Sequence, residues 1–479
     1  MRDKTTVKIT KSDYIWSYIG YFFTLFTNVI ILPFVMKLVP TKELGLWYTF
    51  LSVGQLCNIF DNTFTLSVSR NLTYAWSGMK EIRAEGFDKE ELKGNTGPNY
   101  RLLISLVATC RAIFGVISFI ALALLLTGGT AYIGYTAKEI NRNIWSLSWC
   151  IYSLGVFLNL FYSYWLTGLR GIGAIKQSQI ANVFAKGTQI VLSLAGLFLG
   201  GGIIALSVSF FVSGLVLRVV AKRFFMKYEG IGEANRKYRK EIKRSEVREN
   251  FRKIWFNAKK NGLNAIATFA ITQSTTLICS AYLGLEETAS YGLCLQIITA
   301  VVGVAMIYFN TVKPKMTELK IGGEETREDF IKCASLSITI YWLMYLAEMI
   351  VLLTIGLPVI GLLKSDTAIP VLMISFMGFY LFLENNHSMF AGIIEMSNYV
   401  PYVKAAMISG ACIIAGEYLV ANFTSRGIYG LMFVQFIVQL VYNNWKWPRV
   451  ILKEYHLTPF SILKIGVKQM VEILKNKRN

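Results

Sequence analysis

The chain has 479 residues, 54% of them apolar and only 16% charged, and its mean hydropathy is +0.46. So little polar surface cannot cover a soluble globule of this length, so lipid must solvate most of the chain. A net charge of +20 would suggest nucleic acid in a soluble protein; here the basic residues sit in short segments beside apolar runs, where they read as orientation signals and headgroup contacts, and no nucleic-acid partner is expected.

A membrane-crossing helix needs about 20 apolar residues. Such runs fall near 13–36, 44–68, 101–127, 143–168, 178–199, 203–220, 261–283, 288–312, 333–362, 367–392, 402–421 and 427–446. The first, Tyr14 to Met36, is longer than a signal-peptide core and no A-x-A-like site follows it, so it is expected to be retained as a span. With the N-terminus in the cytoplasm, 41 of the 49 Lys and Arg fall in inward segments. Lys37, Lys42, Lys138, Arg142, Lys364 and Arg426 fall outside, and Arg111 and Lys186 lie within spans. The positive-inside rule then predicts an all-α integral membrane protein with about 12 transmembrane helices, both termini cytoplasmic, in an inner (cytoplasmic) membrane.

The inner segment 221–260 carries 14 Lys/Arg and divides six spans from six. This predicts an N-terminal six-helix bundle (1–220), a basic cytoplasmic linker (221–260), a C-terminal six-helix bundle (261–446) and a basic amphipathic tail (447–479) lying on the inner leaflet. Six is even, so any repeat of the two halves must be parallel, about an axis along the membrane normal. Gly45-Leu46 opening the second span and Gly292-Leu293 opening the eighth are a weak echo of such a repeat. Trp16, Trp47, Trp76, Trp145, Trp445 and Trp447 lie near span ends, as an aromatic belt requires.

Seven scattered cysteines and two histidines give no disulfide framework and no metal-ligand spacing. The chain has no P-loop, no GxGxxG on a strand and no Ser/His/Asp or Cys/His set, so no catalytic residue, cofactor or metal is expected. What remains are ionisable residues inside spans, each costing about 2.5–3.5 kcal/mol on insertion scales unless paired or hydrated. Asp61 lies in the polar patch Asn58-Ile59-Phe60-Asp61-Asn62-Thr63, either facing a cavity and coupling to an ion or paired with a cation of a neighbouring helix. Arg111 and Lys186 have the sign that holds phosphate, although the Lys186 stem is also long enough to snorkel. Glu384-Asn385-Asn386-His387 is the densest polar cluster in any span, and Glu384 and His387 share a helix face at i and i+3. Glu348 is their neighbour or the counter-charge of Arg111, and Glu417, near an outer helix end, reads as a hydrated terminus.

Glu43-Leu44-Gly45-Leu46-Trp47-Tyr48, then Asp61, then Ser69-Arg70-Asn71 and Tyr74-Ala75-Trp76 resemble the lipid-linked oligosaccharide flippases of bacterial O-antigen and capsule pathways. These belong to the multidrug/oligosaccharidyl-lipid/polysaccharide superfamily. The likeness covers span count and length of the whole chain, and individual residues from about 40 to 80. It implies two six-helix bundles around a central cavity that opens alternately to each side. It implies flipping of polyprenyl-diphosphate-linked oligosaccharide repeat units to the outer leaflet of the bacterial inner membrane, with glycosyltransferases and a polysaccharide polymerase as partners beside membrane lipids. On that reading Arg111 and Lys186 hold the diphosphate, and Asn62, Gln189, Tyr164, Gln273 and Gln296 contact sugar. Asp61, Glu348, Glu384 and His387 exchange H⁺ or Na⁺ down a gradient. The related cation-efflux members carry a carboxylate in their first span, where this chain has only Asn28. The alternative is a multidrug or metabolite cation antiporter on the same scaffold, which wants the acidic lining that Asp61, Glu348 and Glu384 supply. A membrane enzyme would need a larger outer segment than this chain has.

Overall fold

Backbone in hydrocarbon has no water to bond, so each apolar run must close its hydrogen bonds within itself. The computed structural model, which describes residues 11–82, 97–321, 323–359, 369–396 and 401–476, accordingly contains helices and no strand among those residues. The first half comprises α1 (Lys11–Leu38), α2 (Thr41–Trp76), α3 (Tyr100–Thr136), α4 (Arg142–Gly171), α5 (Ile175–Phe198) and α6 (Gly202–Lys227). The short α7 (Ile231–Tyr238) and the 39-residue α8 (Arg244–Tyr282) follow. The second half continues with α9 (Leu285–Ala305), α10 (Ile307–Ile321), α11 (Arg327–Val351), α12 (Val371–Glu395), α13 (Val403–Phe423), α14 (Gly427–Val441), α15 (Asn443–Glu454) and α16 (Pro459–Asn476). With α9–α10 and α14–α15 each read as one broken rod, the described residues form twelve long rods in the order the apolar runs predict. Among the described residues, seven helices are long and apolar enough by themselves to cross a membrane. The polar patches at 58–62 and 384–387 dilute the apolarity of α2 and α12. The molecule is thus an all-α membrane protein of about twelve transmembrane helices in two bundles.

The chain divides into two compact units, Met1–Phe269 and Ala270–Asn479, and the boundary falls inside α8. The basic segment 221–260 is therefore mostly helical: it holds the end of α6, α7 and the first turns of α8. In the first unit α5 packs on α1 and α6, and α4 packs on α6. The first half of α8 is fastened to α3: the Asn250 amide donates to Ser105 Oγ at 3.0 Å, and Arg101 pairs with Glu246 at 2.9 Å. In the second unit α13 packs on α14, α12 on α15, and α11 on α16. Asn99 caps α3 by accepting from Leu102 N at 3.0 Å, and Asn141 caps α4 by accepting from Asn143 N at 2.9 Å.

The parallel repeat has a structural signature stronger than its sequence echo. The third rod of each half widens into a single π-turn, at Leu125–Gly129 (LLTGG) and at Leu352–Gly356 (LLTIG). In both turns the threonine hydroxyl, Thr127 or Thr354, donates back four residues to the Ala123 or Ile350 carbonyl at 2.7 Å. A π-turn adds one residue to a helical turn, and its occurrence in the third rod of each half is what a parallel repeat would leave.

Two expectations are corrected. The tail does not simply lie on a leaflet: Ile462 is buried, Thr339 Oγ1 of α11 donates to its carbonyl at 3.2 Å, and Gly466 rests against Ser335 and Thr339. A glycine at the contact lets the two helices approach closely, leaving Phe460, Val467 and Val471 outward. Nor do all the tryptophans form a belt. Trp76 is fully buried between Tyr100 and Tyr228, and Trp447 is buried against Tyr402 and Tyr442.

Candidate functional site

Polar groups inside the first unit gather where α2, α4 and α6 meet. The α4 rod breaks at Tyr162 (φ −106°, ψ 12°), and Ser163, the first residue beyond the break, donates its hydroxyl to Asp61 Oδ1 at 2.6 Å. Thr65, one turn along α2, donates to the same oxygen at 3.2 Å. Gly214 allows α6 to approach α4, since a Cβ there would lie 2.5 Å from the Asn159 amide nitrogen. One turn further, Arg218 comes within electrostatic range of Asp61, and its Nε is buried with no hydrogen-bond partner among the described residues. A buried cation with an unmatched donor is costly unless a neighbouring carboxylate compensates it.

The predicted phosphate-binding residues stand elsewhere in this unit. Arg111 is exposed on α3, within electrostatic range of the buried Tyr164. Lys186 is half-buried on α5 and donates to Gln189 Oε1 at 3.1 Å, so these two residues are in contact. The side chain of Asn62 lies outside the described residues.

The second unit buries carboxylates instead. Glu417 is fully buried, contrary to the hydrated terminus expected of it, and accepts from the Thr275 hydroxyl. Thr275 also reaches Gln435 Oε1 at 3.3 Å, and Gln435 adjoins Glu384. One oxygen of Glu384 and one of Glu417 are buried without a partner, and both oxygens of Glu348 on α11 are so placed. No ion pair neutralises any of the three among the described residues. Glu384 and His387 are not joined as a pair: His387 Nδ1 instead meets Asn444 Oδ1 at 2.8 Å, while Asn386 Oδ1 accepts from Trp342 at 2.8 Å. An ionised carboxyl at such a place is costly without a cation, so these three are the acidic groups whose charge the fold compensates least among the described residues.

Sequence reasoning missed Arg218, Ser163, Gln435 and the burial of Glu417. Arg218 is counted among the cytoplasmic charges because Lys222, Arg223 and Lys227 follow it closely. Gln435, Gln439 and Asn443 stand at i, i+4 and i+8, a polar stripe that the sequence does display. In the structure Asn443 donates to Gln439 at 2.8 Å and to Ser409 at 2.9 Å, and Gln435 and Gln439 are buried.

Comparison with known proteins bears on the scaffold. No protein-family model matches this chain, and no curated protein matches it. Among solved structures, a multidrug resistance MATE family transporter of the MOP superfamily, in an inward-facing conformation, aligns over 93% of this chain and 99% of its own with a TM-score of 0.62 at 15% identity. The lipid II flippase MurJ, in an inward closed conformation, aligns over 96% of this chain and 90% of its own with a TM-score of 0.62 at 11% identity. The chain has the fold of the MOP superfamily transporters. A MOP superfamily transporter from Pyrococcus furiosus Vc1, described as having a binding pocket of reverse polarity, also shares this fold, aligning over 94% of this chain and 100% of its own with a TM-score of 0.54 at 15% identity. At such identities the MOP likeness carries the architecture and leaves the cargo to the residues.

Proposed function

We propose that this chain is a secondary transporter that moves polyprenyl-diphosphate-linked oligosaccharide repeat units to the outer leaflet of a bacterial inner membrane, driven by a proton or sodium gradient. The observation that carries the reading is a separation of charge between the two units. Arg111, Lys186 and Arg218 lie within rods of the first unit; Glu348, Glu384 and Glu417 lie within rods of the second. A diphosphate and its sugar hydroxyls cannot cross hydrocarbon without partners, whereas a polyprenyl tail is best left in lipid. Arg111 supplies a guanidinium fork and Lys186, steadied by Gln189, a point charge for the diphosphate. Asp61, already engaged by Ser163 and Thr65, serves as the compensating charge of Arg218. Glu384 and Glu417, with Glu348 and His387 nearby in sequence or fold, are the groups that exchange H⁺ or Na⁺. Likeness of fold to a lipid II flippase supports a lipid-linked cargo.

The rival reading, efflux of organic cations, is favoured by the same buried carboxylates and by likeness to multidrug transporters. A proteoliposome assay separates the two. Labelled polyprenyl-diphosphate oligosaccharide should change leaflet faster under an imposed gradient, and Arg111→Gln/Lys186→Gln should abolish the movement. Normal flipping by that double variant, or extrusion of organic cations with no glycan movement, would overturn the proposal.

A further inference from the structure

The end of the second unit that the charge pattern assigns to the cytoplasm holds a cavity lined by none of Glu348, Glu384 and Glu417. It encloses about 460 Å³ and is lined by Lys320, Pro401, Tyr442, Lys446, Trp447 and Glu454, with Ile394 and Val450 completing the wall. That volume lies in the range of small-molecule sites. Its shape follows from the break between α14 and α15, where Tyr442 leaves helical geometry (φ −138°, ψ −62°) and turns the chain so that Tyr442 and Lys446 face one opening. Trp447 stacks edge-on with Tyr402 and is fixed by donation to Asn443 Oδ1 at 3.0 Å, so the aromatic wall is rigid.

The charges in this cavity do not cancel. Lys320 has a side chain only 8% exposed, donates to the Ile393 carbonyl at 3.0 Å and pairs with Glu454 at 3.8 Å. Lys446 has no ion pair among the described residues and is half-buried. One positive charge is thus left over, inside a recess open to the side of the membrane where basic residues collect. We propose that the cavity holds the phosphodiester headgroup of a singly anionic phospholipid of the phosphatidylglycerol kind, with Lys446 on the phosphate and the Tyr442–Trp447 wall against the glycerol. A zwitterionic headgroup, neutral overall, would leave the cavity with its one surplus positive charge. Recesses of basic residues between helices at this level suit lipid headgroups in general.

The test is lipid retention by the full-length protein in detergent, read by native mass spectrometry with phosphatidylglycerol, phosphatidylethanolamine or free glycerol phosphate added. The wild type should retain phosphatidylglycerol in preference to phosphatidylethanolamine. Lys446→Gln should lower that retention roughly fivefold, as expected for one cation at a headgroup, and Lys446→Arg should keep it. Arg449→Gln removes an exposed charge three residues away that does not line the cavity, and should change nothing. Equal retention of the two lipids would mean that headgroup charge is not read, equal losses in the Arg449 and Lys446 variants would mean bulk surface charge, and either would overturn the site. Displacement by glycerol phosphate at matched concentration would mean a soluble phosphate ligand and overturn the lipid assignment.

Discussion

Asp61 and Arg218 show how half-buried charges inside one bundle are made tolerable. The carboxylate receives hydroxyls from Ser163 and Thr65, and its field reaches a guanidinium whose buried Nε has no hydrogen-bond acceptor among the described residues. Removing one member leaves the other uncompensated, which costs more than removing both. Asp61→Asn is therefore expected to lower stability by on the order of 2 kcal/mol, and adding Arg218→Gln should recover part of that loss. Thermal unfolding of the two single variants and the double, in detergent, gives the coupling; strictly additive losses would show that the two groups do not interact. Asp61 is legible from sequence because an acid amid apolar residues stands out by composition. Its partner Ser163 is 102 residues away, and nothing local marks a serine as the one that will face it. Arg218 is hidden for the opposite reason, because the basic run after it makes it look like one more loop charge.

At the scale of elements, helix type and order were readable throughout, since hydrocarbon leaves apolar runs no alternative. What helices do to each other was less so. The tail carries an amphipathic pattern, which predicts an interface but not whether lipid or protein supplies it. The deciding residue is Gly466: a Cβ there would sit 2.9 Å from the Ser335 carbonyl and collide with Thr339. Gly466→Val should therefore lift α16 from α11. Hydrogen exchange at residues 459–476 should accelerate, while Phe460→Ser, at a side chain 75% exposed, should leave that exchange as it is. Unchanged protection in Gly466→Val would mean that α16 is held by something other than this contact. The two π-turns make the same point about legibility. LLTGG and LLTIG look like ordinary apolar sequence, and only the structure shows that both third rods widen into a π-turn there.

On the scale of the whole molecule, a parallel repeat would give two halves of equal character, yet the polar interiors have diverged in sign. Mid-rod, the first unit carries Arg111, Lys186 and Arg218 with Asp61 near Arg218, and the second carries Glu348, Glu384 and Glu417 with no ion pair among the described residues, its buried Lys320 being paired with Glu454. A transporter of an anionic headgroup driven by a cation gradient needs both characters. On the proposed function, keeping the cargo and ion groups in different bundles would avoid their neutralising one another in an inert salt bridge. The division predicts that binding and coupling can be lost separately. Glu384→Gln/Glu417→Gln keeps the size and hydrogen-bonding capacity of both side chains while removing their charge. Its liposomes should still bind the polyprenyl-diphosphate oligosaccharide and equilibrate it slowly between leaflets, with no acceleration when a proton or sodium gradient is applied. Arg111→Gln/Lys186→Gln should instead lose cargo binding under every gradient. A ligand shifts a conformational equilibrium only by its differential affinity for the two states, so gradient and cargo must each contact a group that changes environment during the cycle. If the Glu384/Glu417 variant still responded fully to the gradient, coupling would have to reside in Glu348 or His387; if it lost cargo binding too, the two units would not divide the work in this way.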